Sequence, residues 1–175
     1  MSNDTLSTRR SGSTGRRVLS VLCSAAGIVI FLIVIALLLP LSLPRLTGRE
    51  LYNVVSGSME PSIPEGSLIY VRPVEWSEIK PGDIIAFRRG GSVVTHRVVQ
   101  VRVVEGDFVT KGDANQTEDM TTVTFSELVG RVERHIPRMG DLAAFLTTVI
   151  GKVYLFALLL CGVLFHILAR RVREA

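Results

Sequence analysis

Two long apolar runs bracket a middle stretch whose hydrophobic residues come in short bursts. Residues 18–39, VLSVLCSAAGIVIFLIVIALLL, are 22 positions without a charge. As a helix rising 1.5 Å per residue they can cross a hydrocarbon core of about 30 Å, so a transmembrane helix is predicted there. Pro40, Pro44 and Gly48 follow, and they predict that the helix does not run far beyond Leu39. Residues 153–169, VYLFALLLCGVLFHILA, are 17 positions, at the short end for a span, and 142–150 can lengthen that second membrane helix to 142–169. A cleaved secretory signal is the alternative for the first run. The run exceeds the usual apolar region of a signal, and PLSLPRL rather than a small-residue cleavage site follows it.

Between the runs, residues 45–140 have a different texture. Short stretches rich in Val, Ile, Tyr and Phe (52–55, 68–71, 83–87, 92–104, 108–110 and 128–132) alternate with PEG, KPGD, RRGG, EGD and KGDAN. β-Branched and aromatic residues suit a pleated surface, whereas Gly, Asp and Asn reach the backbone conformations of turns. The pattern predicts a mainly β, antiparallel domain flanked by two transmembrane α-helices. Along 92–104, strict alternation puts Val94, His96, Val98, Gln100 and Arg102 on one face and Val93, Thr95, Arg97, Val99, Val101 and Val103 on the other.

Composition agrees with this division. A mean hydropathy of +0.39 is too apolar for an ordinary soluble domain. Residues 1–17 carry four Arg and one Asp, and 170–175 carry three Arg and one Glu. Two basic tails place both termini in the cytoplasm and the domain on the extracytoplasmic face of a cell membrane. Residues 45–141 hold 12 of the 20 Lys and Arg but 14 of the 16 Asp and Glu. The basic balance therefore reports membrane topology and not a nucleic-acid partner. Lys152 and Tyr154 suit a headgroup boundary, His166 the far end of the second span, and His135 an interfacial stretch leading into it. Cys23 and Cys161 both fall in the apolar runs, so the domain has no disulfide, cysteine chemistry or cysteine zinc site, and no metal or cofactor is expected.

The domain can nevertheless supply acyl-transfer chemistry. A serine hydroxyl needs a base to take its proton, and that base works best when a third group holds its tautomer. Ser58 lies in VVSGSMEPSI at the exit of a predicted strand, His96 lies within a strand, and Asp113 and Asp119 lie in TKGDANQTED. Each also has a plain structural reading, as turn serine, packed strand histidine or turn carboxylate. Lys80 and Lys111 are the domain's only lysines, which leaves a serine/lysine pair through Lys111 to be weighed.

Taken in order, VVSGSMEPSIPEGSLIYV, PGDIIAF, THRVV and KGDANQTED closely resemble the type I signal peptidases over residues 52–130. The usual bacterial members carry a lysine base. Here THRVV presents His96 at the matching place, as in endoplasmic-reticulum-type, archaeal and a minority of bacterial members, so the resemblance is to the histidine type. It implies Ser58 as nucleophile, His96 as general base, and Asp113 and Asp119, six residues apart, as the acids. Asp119 is favoured to orient the imidazole and Asp113 to hold the loop. Ser56 matches the position whose hydroxyl joins the Ser58 backbone N–H in binding the oxyanion. Glu118-Asp119 stands where several relatives have Asp-Asp.

The resemblance implies a membrane-bound serine endopeptidase that cleaves signal peptides from exported precursor proteins, its partners being those precursors and the lipid bilayer. The alternative is a two-span protein whose β domain is a non-catalytic binding module. Neither the range of precursors nor a need for accessory subunits is written in the sequence.

Overall fold

The computed structural model describes residues 5–174. In chain order it contains helix α1 (Thr5–Leu46), strands β1 (Glu50–Asn53), β2 (Leu68–Arg72), β3 (Ile84–Arg89) and β4 (Ser92–Arg102), then β5 (Asp107–Lys111), β6 (Val123–Thr124) and β7 (Leu128–Ile136), and finally helices α2 (Met139–Thr147) and α3 (Val149–Glu174). The chain divides into two units, one of residues 5–40 with 148–174 and one of Leu41–Thr147.

The helical unit turns its apolar side chains outward. Only 17% of the most apolar window of α1 and 11% of that of α3 is buried, and Val21, Leu22, Leu32, Tyr154 and Phe156 are more than half exposed. Such surface is stable against lipid and not against water. The protein is an integral membrane protein with two spans and an extracytoplasmic β domain. Small residues bring the spans together: the buried Ser20 Oγ donates to the Ala169 carbonyl at 2.8 Å, and Gly27 lies against Gly162.

Helix α1 ends later than the prolines predict, at Leu46. Pro40 and Pro44 each remove one donor, a loss the membrane helix absorbs, and the stop comes from Gly48. Its φ of +75° lets the Gly48 N–H reach the Arg45 carbonyl at 3.2 Å and the Arg49 N–H reach the Pro44 carbonyl at 3.0 Å. This pair of bonds closes a helix C-terminus on a left-handed residue. The second apolar stretch forms two helices instead of one, because the Thr148 hydroxyl caps the N-terminus of α3 by accepting the Gly151 N–H at 3.0 Å.

The extracytoplasmic domain is one seven-stranded antiparallel sheet in the order β1-β2-β7-β3-β4-β5-β6. Alternation in β3 divides the core: Ile85 and Phe87 pack with Val98, Phe108 and Val123 on one face, while Ala86 packs with Met59, Ile63, Ile69 and Val71 on the other. The alternation expected along 92–104 fails at a bulge, where the pairing of β4 with β5 shifts register between Val98 and Gln100. The extra residue there turns Val101 to the same cluster as Val94 and Val98. The two-residue β6 was not predicted; it is too short to show a period. Strand β7 outruns its predicted end, so His135 pairs with Ile69 along the strand and keeps its side chain exposed.

Candidate active site

After β1 the backbone stays tied to the sheet's edge through Val54, which donates to the Ser67 carbonyl at 2.9 Å and accepts from the Gly66 N–H at 2.8 Å. It then makes a single 3-10 turn, Gly57–Met59, with Met59 buried beneath it. That buried side chain anchors the turn and leaves Ser58 half-buried at its surface. Ser56, exposed and in extended conformation just before the turn, has its Oγ 3.5 Å from that of Ser58.

His96 lies on β4 opposite Ile85, with its ring edge-on to Phe87 at 6.2 Å between centroids. Its Nδ1 is 2.5 Å from Asp119 Oδ2, and both side chains are only 12% exposed. With Asp119 ionised, Nδ1 is the donor, which leaves Nε2 as the nitrogen able to accept a proton. The same Oδ2 accepts the hydroxyl of Thr110, a fully buried residue of β5, at 2.7 Å. The Asp119 N–H closes the loop on the Thr110 carbonyl at 2.8 Å.

Asp113 faces elsewhere. Its two oxygens accept Arg97 Nε at 2.8 Å and Nη2 at 2.6 Å. This paired geometry holds its carboxyl below the usual carboxylate range, against the opposing effect of burial, and raises the Arg97 guanidinium in turn. Arg97 also donates to the Gly82 carbonyl at 2.8 Å and to Ser62 Oγ at 3.4 Å, so it ties the loop to two other turns. The two acids of one loop thus reach two neighbouring residues of β4 that lie on opposite faces of the strand.

The loop also grips the serine turn. The Ala114 N–H donates to the Ser58 carbonyl at 2.9 Å, and Gly112 packs so closely that a Cβ there would lie 2.7 Å from the same carbonyl. The loop that carries both acids thus meets Ser58 at its main-chain carbonyl and His96 at its ring. Beside Ser58 runs a groove lined by residues 52–56 and 92–95 with Met59 and Ile69. The hydroxyl of Tyr52, one of these residues, bonds the Glu50 carboxylate, and burial followed by this carboxylate pushes the phenol up to about 12. Among the described residues, no group of three or more His, Cys, Asp or Glu is placed to hold a metal ion.

Sequence reasoning passed over Arg97 and Thr110. Arg97 follows His96 directly, and Thr110 sits opposite Val98, on the His96 side of the strand. An arginine beside a candidate base and a buried hydroxyl just before KGD are the signals that could have found them.

Residues 47–132 match the family model described as Peptidase S24-like. Signal peptidase I W of Bacillus subtilis (strain 168) is 38% identical over 109 residues, which cover 55% of this chain and 57% of that protein. The human signal peptidase complex catalytic subunit SEC11C is 33% identical over 109 residues, covering 54% and 57%. The catalytic subunit SEC11 of Clavispora lusitaniae is 29% identical over 106 residues, covering 54% and 63%. The chain spans a little over half the length of the curated relatives it matches. An antiparallel β domain that lies between two spans and carries a serine turn, a histidine and two acids is thus similar over residues 47–132 to the S24-like peptidases, and over a stretch of 109 residues to signal peptidases.

Proposed function

We propose that this protein is a membrane-bound endopeptidase that removes N-terminal signal peptides from exported precursors by a serine, histidine and aspartate mechanism. The observation that carries the mechanism is the 2.5 Å contact of His96 Nδ1 with a largely buried Asp119, on the loop that also binds the Ser58 turn. The precursor lies extended in the groove beside Ser58, with main-chain hydrogen bonds supplying affinity and shallow apolar pockets selecting small side chains. Ser58 Oγ attacks the scissile carbonyl carbon while His96 Nε2 takes the hydroxyl proton. Asp119 holds the ring and balances its positive charge.

The tetrahedral oxyanion is bound by the Ser58 backbone N–H and the Ser56 hydroxyl, an arrangement worth about 3 to 4 kcal/mol of barrier per donor. His96 then returns the proton to the departing amine, which leaves as the new N-terminus of the mature protein. Water attacks the acyl-enzyme with His96 again as base, releasing the signal peptide and restoring Ser58. Asp113, paired with Arg97, holds the loop and exchanges no proton with His96.

The test is cleavage of a signal-bearing precursor by the detergent-solubilised chain. Ser58→Ala and His96→Ala are expected to abolish cleavage. Full activity in Ser58→Ala overturns the nucleophile. Activity in His96→Ala that disappears in Lys111→Gln transfers the base to Lys111.

A further inference from the structure

We propose that Thr110 is a positioning residue, its hydroxyl locking the Asp119 carboxylate in the rotamer that holds His96. The inference rests on the peptidase reading above and assigns a role to a residue outside the serine, histidine and acid set. Thr110 is fully buried on β5, and its neighbours on that strand and across it, Phe108 and Val98, are apolar and equally enclosed. At such a position valine packs as well as threonine and carries no hydroxyl to desolvate. The hydroxyl does have a use: it donates to Asp119 Oδ2 at 2.7 Å, the oxygen that also receives His96 Nδ1 at 2.5 Å.

One donor leaves a carboxylate free to rotate about its last torsion, so that either oxygen can face the ring. Two donors converging on one oxygen from different strands fix that torsion. The Thr110 main chain makes a separate contribution, its carbonyl accepting the Asp119 N–H at 2.8 Å. That bond survives any side-chain change, so the loop keeps its course in Thr110→Val while the carboxylate loses its lock.

The experiment compares precursor cleavage by the full-length chain in detergent as wild type, Thr110→Val, Thr110→Ser, Asp119→Asn and the Asp119→Asn/Thr110→Val double variant. A hydrogen bond to a charged group is worth about a tenfold to hundredfold change in rate. Thr110→Val should lower kcat by about tenfold with KM nearly unchanged. Thr110→Ser, which keeps the hydroxyl and loses the methyl group, should recover most of the rate. In the double variant Thr110→Val should add nothing to Asp119→Asn, since it acts through that carboxylate.

Packing alone predicts the reverse order, Val above Ser, and that order or full additivity with Asp119→Asn overturns the proposal. If Thr110→Val melts early, Thr110→Ser against Thr110→Ala makes the same comparison: a faster Ser variant supports the lock and equal rates overturn it. Ser58→Ala separates the two levels. Cleavage that survives Ser58→Ala refutes the peptidase reading, whereas Ser58-dependent cleavage unaffected by Thr110→Val refutes only the role of Thr110.

Discussion

The loop from Lys111 to Asp119 has two carboxylate ends that differ in everything except their chemistry. At the near end Asp113 meets a permanent cation with two parallel hydrogen bonds, and the partner, Arg97, is about a third exposed. At the far end Asp119 meets an imidazole and a hydroxyl in a more enclosed place. A guanidinium does not release its proton at any pH that matters, so the Asp113 pair can only hold structure. An imidazole held at one nitrogen keeps the other free to accept and return a proton, so the Asp119 pair can take part in a reaction. Similar carboxylates six residues apart thus have different partners, and the proposed mechanism gives Asp113 to stability and Asp119 to rate.

The sharpest break in that comparison is Asp119→Asn. It should lower kcat by about 10³- to 10⁴-fold, since an amide presents the wrong group to Nδ1, while thermal melting of the purified chain stays near the wild type. Melting that collapses with the rate would make both ends structural. Next is Gly112→Ala between them, where the added Cβ would lie 2.7 Å from the Ser58 carbonyl. Shifting the Ser58 turn by an ångström is expected to cost about a hundredfold in kcat, measured on the same precursor.

Asp113→Asn should act mainly on stability, lowering it by about 1 to 3 kcal/mol through loss of the charged hydrogen bonds, as read by the melting midpoint. Its pH dependence follows from the sign of the shift. Because Arg97 depresses the folded-state value of Asp113, the pair's stabilisation is complete above the unfolded value near 3.9 and is lost as pH falls through the lower folded value. The gap in melting between wild type and Asp113→Asn should therefore be constant near neutral pH and close below about pH 4. A gap that persists in strong acid would show that the asparagine acts through packing. The smallest effect is expected for Lys111→Gln: this residue pairs with Arg97 across β4 and β5 and should leave the cleavage rate unchanged.

Much of this architecture was readable along the chain because it depends on local pattern. The 22-residue uncharged run needs only its length to define a span, and turn residues between β-rich bursts need only their backbone preferences to define strands. Features that depend on cancellation between distant parts were not readable. Pro40, Pro44 and Gly48 all have a helix-ending tendency, yet only the left-handed Gly48 ends α1. The bulge at Val98 and Gln100 reverses the face of Val101, and strand β6 exists only because β5 offers it an edge.

The candidate site divides in the same way. Ser56, Ser58, His96, Asp113 and Asp119 could be picked out from the order of four short motifs. Spacing gave no physical means of telling which acid meets the imidazole, and Arg97 and Thr110 went unnoticed. The sequence by itself determined two spans, a cysteine-free β domain between them and the residue types available for chemistry, since these follow from hydropathy, turn propensity and side-chain identity. Only the tertiary structure decided the pairings, Asp119 with His96 and Thr110, Asp113 with Arg97, and Ser58 with Ala114. Hydrogen bonds act over about 3 Å, and folding alone brings residues so far apart in the chain to that distance.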